Sequence, residues 1–184
     1  MTETASEAAG NAPPATRRLM YWEDLKEATA RRHGPVVFSS DLLDQLLNLL
    51  GEKHPIHDSG AFAESVDRRQ RIIPGGFIHA ITSGWVVQHG GAGAVLGLRS
   101  MNWDYVRPLY PDTPFWFTTE TEHSELIDDR CGLVKSVRRV HTEDDRVYAI
   151  GRLSVVFMRR SWRDTRVEER TRANAGQRQK GVSS

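Results

Sequence analysis

Between residues 94 and 160 one pattern recurs four times, and it constrains the fold more than any other feature of the chain. Ala94–Val106, Pro114–Leu126, Cys131–His141 and Arg146–Arg160 are long and rich in Val, Phe, Trp, Tyr and Thr. In the last of them Val147, Ala149, Gly151, Leu153, Val155 and Phe157 alternate with Tyr148, Ile150, Arg152, Ser154, Val156 and Met158. That period of two places alternate side chains on opposite faces of a strand. Asp128-Asp129-Arg130 and Glu143-Asp144-Asp145 are short polar turns of the kind that join antiparallel neighbours.

The preceding segment has a different period. Ser39 or Ser40 can cap a helix that begins at Asp41, and Leu42, Leu43, Leu46, Leu47 and Leu50 follow at helical spacing until Gly51. A loop holding His54, Pro55 and His57 comes next, then a short helix around Ser59–Ser65. Ile72-Ile73-Pro74-Gly75-Gly76 turns into a mostly apolar helix, Phe77–His89, with Phe77, Ile78, Ile81, Trp85 and His89 on one face. A helix this apolar needs to be wrapped, most simply by a sheet. Helices first and long antiparallel strands second predict an α+β fold, one curved sheet around one central apolar helix. Val36–Phe38 is a candidate additional strand.

With 184 residues, 39% of them hydrophobic and 27% charged, the chain suits one domain flanked by polar ends. Residues 1–17 lack periodicity and read as a disordered leader; 163–184 read as a polar basic tail; the domain is expected at 18–162. Twenty-five Lys+Arg against 24 Asp+Glu give no support to a protein that neutralises many phosphates of a nucleic acid. No apolar run reaches the roughly 20 residues of a spanning helix, and the acidic opening Met1–Glu7 has no signal-peptide h-region. Cys131 is alone, which removes a disulfide framework and a thiolate zinc site. A cytoplasmic location is expected.

The polar stretch richest in chemistry is Gly51-Glu52-Lys53-His54-Pro55-Ile56-His57-Asp58. A carboxylate five residues before an imidazole, with a proline between, makes a loop able to aim both at one small molecule. Gly75, just ahead of the apolar helix, lets a substrate oxygen approach backbone N–H groups at the positive end of the helix dipole. That arrangement stabilises an enolate-like oxygen on a thioester carbonyl. Ser83 lies two turns further along the helix, where its hydroxyl could orient the Glu52 carboxylate.

These residues resemble the hydratase motif of the MaoC-like, (R)-specific enoyl-CoA hydratase family, which has the hot-dog fold. Gly51, Glu52, His54, Pro55, His57, Gly75 and Ser83 match it in order and spacing, and Val106–Thr113 resembles the family's strand entrance. Glu52 stands where the family has Asp, His54 where it has Asn, and Pro74 where a His is common. The resemblance implies reversible syn addition or removal of water at a 2-enoyl or (3R)-hydroxyacyl thioester, chemistry of fatty acid metabolism. His57 would be the base toward carbon in dehydration, Glu52 would handle the β-hydroxyl proton, and the amides of Gly75 and Gly76 would hold the thioester oxygen. Phe62, Ile73 and Phe77 are candidates to line the acyl tunnel. The acyl carrier would be coenzyme A or an acyl-carrier-protein arm, with no other cofactor.

Two other classes stay open. One is a hot-dog acyl thioesterase, with Glu52 or Asp58 activating water; the other is a non-catalytic acyl-binding subunit of a heterodimeric dehydratase. A sheet curved around one helix leaves an edge that a second copy or a related chain can cover, so a homodimer or hot-dog heterodimer is expected. No metal is expected, because the His54/His57 pair sits in a loop without a supporting carboxylate–histidine motif.

Overall fold

The structure is a computed structural model that describes residues 19–27, 30–89 and 93–180. The expected leader, 1–17, and most of Gly90–Gly93 lie outside the described residues. A single helical turn, α1 (Trp22–Leu25), precedes strand β1 (Arg31–Val36) and helix α2 (Ser40–Leu50). Two short helices follow, α3 (Pro55–Asp58) and α4 (Gly60–Ser65), then the long helix α5 (Gly75–Gln88). Strands β2 (Val95–Tyr105), β3 (Phe115–Leu126), β4 (Cys131–His141) and β5 (Val147–Met158) complete the sheet, and α6 (Arg160–Lys180) closes the described chain.

The five strands pair antiparallel in the order β1-β3-β4-β5-β2, which leaves β1 and β2 at the edges. The α+β arrangement expected from the sequence is the one observed. The β3–β4 and β4–β5 hairpins turn at the two acidic sites, 127–130 and 142–146. β1 starts five residues earlier than Val36–Phe38, because pairing with Phe115–Thr119 draws the polar Arg31-Arg32-His33 into the sheet.

Local signals set the helix ends. The Ser39 hydroxyl accepts the Leu42 N–H of α2, and Gly51 ends that helix in the left-handed region at φ 69°, which only glycine adopts without strain. Leu43 and Leu47, on the inner face of α2, are fully buried beside Phe38, Ile73, Ile78, Phe115 and Phe117. Each such side chain contributes about 1.5–3 kcal/mol by leaving water.

The basic stretch read as a tail is instead helical through Lys180. Arg, Glu, Gln and Ala are all good helix formers, so a polar composition does not by itself exclude a helix. Arg160 anchors the start, its Nη2 2.5 Å from Asp24 and its guanidinium over the Tyr21 ring. Among the described residues no helix is long and apolar enough to cross a membrane.

Candidate functional site

The loop after α2 is built around His54 and His57. His54 is the N-cap of α3, and its Nδ1 accepts the Ile56 N–H at 3.3 Å. An imidazole thus does the work of the short polar side chains usually found at such a position, with Pro55 at the first helical position, where its missing N–H costs nothing. One turn of helix then carries His57, in a segment the sequence presented as a loop.

His57 is half-buried, and its Nδ1 lies 2.8 Å from the Ile72 carbonyl. A carbonyl only accepts, so Nδ1 carries a proton, and in the neutral imidazole the lone pair then lies on Nε2, the form a general base requires. A second bond, Ile72 N–H to the Ile56 carbonyl at 3.2 Å, ties α3 to the segment that enters α5. His57 is therefore held against Ile72, three residues before Gly75.

Gly75 and Gly76 are the first two residues of α5, behind Pro74, which offers no side-chain cap. Phe77 N–H turns back to the Pro74 carbonyl, but the first two amides have no intrahelical partner. Gly75 is required for a second reason. A Cβ there would stand 2.6 and 2.9 Å from ring carbons of Tyr105 and nearer still to its Cζ. The Tyr105 ring thus covers the helix start, stacked in turn on Trp103. Partial burial raises its phenol above the usual tyrosine range.

The remaining predicted residues are placed differently. Glu52 follows Gly51, half-buried, and its Oε1 accepts the His54 N–H at 3.2 Å. Asp58 pairs with Lys53 at 3.4 Å. Phe62 is 39% exposed and edge-on to His54. Phe77, partly buried, stacks on Phe38, and Ile73 is 4% exposed with its N–H on the Leu109 carbonyl. Ile73 belongs to the same buried cluster as Phe38 and Leu47.

Ser83 does not meet Glu52. Its hydroxyl accepts from Arg138 Nη1 at 3.0 Å, on the side of α5 that faces the sheet. Thr82, not Ser83, makes the back-bond typical of helical hydroxyls, to Ile78 and His79 carbonyls.

Between α5 and the sheet lies a cavity of about 300 Å³. α5 contributes His79 and Ser83, β3 Thr119, β4 Val134, Ser136 and Arg138, and β5 Leu153 and Val155. Arg138 is only 8% exposed, and burial lowers its pKa to about 10. Burial, and then the charge of Arg138, also hold His33 and His79 below the ordinary histidine range. Arg138 lies outside the hydratase-like motif, yet Val134-x-Ser136-x-Arg138-x-Val140 is a period-two run that puts it on the inner face. Among the described residues no cluster of three His, Cys, Asp or Glu is arranged to hold a metal.

The sheet, the central helix and its glycine start define a hot-dog fold, shared with MaoC-like dehydratases and (R)-hydratases. No family model and no curated protein matches the chain in sequence. Solved structures match it in shape. A protein from Chloroflexus aurantiacus assigned to the MaoC-domain dehydratases superposes with a TM-score of 0.71 at 17% identity, over 79% of this chain and 42% of that one. The chain therefore spans less than half of that longer protein. An (R)-hydratase from Pseudomonas aeruginosa gives 0.62 at 14% identity, over 77% and 86%. The (3R)-hydroxyacyl-ACP dehydratase complex from Mycobacterium tuberculosis gives 0.61 at 10%, over 71% and 96%.

Proposed function

We propose that the chain is a hydro-lyase that adds or removes water at a 2-enoyl or (3R)-hydroxyacyl thioester. The observation that carries this reading is the His57 imidazole, its Nδ1 on the carbonyl of Ile72, three residues before Gly75, together with the amides of Gly75 and Gly76, which have no intrahelical partner. A hydro-lyase needs a base with a free lone pair and a donor pair for the carbonyl oxygen on which charge develops. In dehydration Nε2 of His57 takes the proton from the carbon next to the thioester carbonyl. The Gly75 and Gly76 amides hold the enolate oxygen. The carbon–oxygen bond at the β position then breaks, and Glu52 supplies the proton with which the hydroxyl departs as water.

Glu52 reaches its working position by releasing the His54 amide, a bond made within its own loop. The thioester is carried on coenzyme A or a carrier-protein arm, which suits a cytoplasmic enzyme. The outer strand β2 exposes about half of Val95, Leu96, Leu98 and Met101, and a second hot-dog chain there would cover them. Likeness in fold to the two-component dehydratase complex of Mycobacterium tuberculosis supports a second reading, an acyl-binding subunit whose partner supplies the chemistry. Ser83 turned away from Glu52 favours it.

Crotonyl-CoA hydration, followed as loss of the conjugated absorbance, separates the two. The hydro-lyase reading expects turnover by the isolated chain, a loss of about 10²–10⁴-fold in His57→Ala, and a comparable loss in Glu52→Gln. No turnover on short, long or branched enoyl thioesters, or variants as active as the parent, would refute it. Release of free thiol instead would identify a thioesterase.

A further inference from the structure

The cavity behind α5 contains the Arg138 guanidinium, which lies over the Phe117 ring, 5.4 Å from its centre, and has no carboxylate among the described residues that line the cavity. Arg138 carries five N–H donors. Nε reaches the Thr119 hydroxyl at 3.3 Å, and Nη1 reaches Thr82 and Ser83, each at 3.0 Å. Nη2 has no partner among the described residues. All three partners are neutral hydroxyls, and no Asp or Glu lines the cavity or pairs with Arg138. Buried guanidinium groups ordinarily face a carboxylate, because an uncompensated charge away from water is costly.

We propose that this cavity binds an aliphatic carboxylate, its carboxyl group on Arg138 and its chain among Val134, Leu153 and Val155. The hydroxyls are arranged for it. Thr82 spends its proton on the Ile78 and His79 carbonyls, whereas Ser83 and Thr119 accept from Arg138 and keep their own protons to donate. Nη2, Ser83 and Thr119 thus supply convergent donors around one charge. His79 and His33 line the same wall, both held toward the neutral form by burial and by Arg138. Arg31 also lines the cavity but is exposed, so Arg138 is its one buried guanidinium, and that calls for a monoanion; a phosphate would bring about 1.5–2 negative charges against walls that are largely apolar. Neither Glu52, His57 nor Gly75 lines the cavity, so this site stands apart from the hydratase reading.

Calorimetric titration of the full chain with octanoate, and with octanamide and octanol as uncharged matches, tests it. Octanoate is expected to bind at least tenfold more tightly than either, and Arg138→Met to lose at least tenfold in octanoate affinity. If Arg138→Met does not fold, Ser83→Ala and Thr119→Val take its place, each weakening octanoate several-fold. Suberyl-CoA and octanoyl-CoA distinguish the source. Arg138-dependent preference for suberyl-CoA marks the far carboxyl of an acyl thioester, and binding of octanoate alone marks a free acid. No octanoate binding, equal binding of octanamide, or unchanged affinity in the variants would overturn the proposal.

Discussion

Adding one methyl group at Gly75 tests how tightly the start of α5 is built. The Cβ of Gly75→Ala would lie 2.6 and 2.9 Å from Tyr105 ring carbons, where relaxed carbon contacts are about 3.5–4.0 Å. The ring must therefore retreat by about 1 Å. One face of the ring is backed by Trp103. Tyr105 stacks on Trp103 at 6.0 Å with 8° between planes, and the Trp103 indole sits directly over Gly151, 2.6 Å from where a Cβ would be. Overpacking of this kind costs about 1–3 kcal/mol, more than the fraction of a kcal/mol that alanine gains over glycine at a helix end. For a chain of this size that lowers the melting temperature by roughly 2–12 °C. Thermal and denaturant melts of Gly75→Ala, Tyr105→Leu and the double variant measure it. In the Tyr105→Leu background the alanine should be nearly neutral, a coupling of about 1 kcal/mol or more. If Gly75→Ala is as stable as the parent, or loses as much without the tyrosine ring, the close approach is not what requires glycine.

Two further predictions concern histidines. His33 and His79 have folded pKa values below their unfolded value of 6.5, held there first by burial and then by Arg138. The unfolded chain takes up protons first as pH falls, so the stability they confer is full above pH 6.5 and declines below it. The slope is at most about 1.4 kcal/mol per pH unit for each histidine. Asp44 and Asp112, lowered by hydrogen bonds from Arg71 and Ser40 respectively, matter only near pH 3.8 and below. Urea midpoints flat between pH 7 and 5.5 would contradict this assignment. At the α3 cap, His54→Asn should hold stability within a few tenths of a kcal/mol and His54→Ala should lose about 0.5–2 kcal/mol. Equal losses in urea melts would show that the imidazole is not acting as a cap.

Much of this fold is legible residue by residue. Ser39 and Gly51 bracket α2, Ser59 caps α4, and the strands end at acidic turns, because caps, turns and periodicity depend on neighbours no more than four positions away. His57 and the glycines at the start of α5 were legible for the same reason. β1 was less so: Arg31-Arg32-His33 has no strand pattern and becomes a strand through its pairing with β3, more than eighty residues distant. α6 was hidden by its polarity.

What tertiary structure alone decided is which partner each polar group finds. The amino-acid sequence determines that Ser83 lies on a helix two turns past Gly75 and that Arg138 lies on the inner face of a strand. That the two meet, 55 positions apart, depends on how α5 lies across β4. The same packing buries Ile73 and sets the Arg138 guanidinium, with no carboxylate among the described lining residues, beside aliphatic walls. Local chemistry fixes the elements; the register and placement of distant elements fix the counter-groups, since hydrogen bonds and ion pairs are satisfied in space, not along the chain.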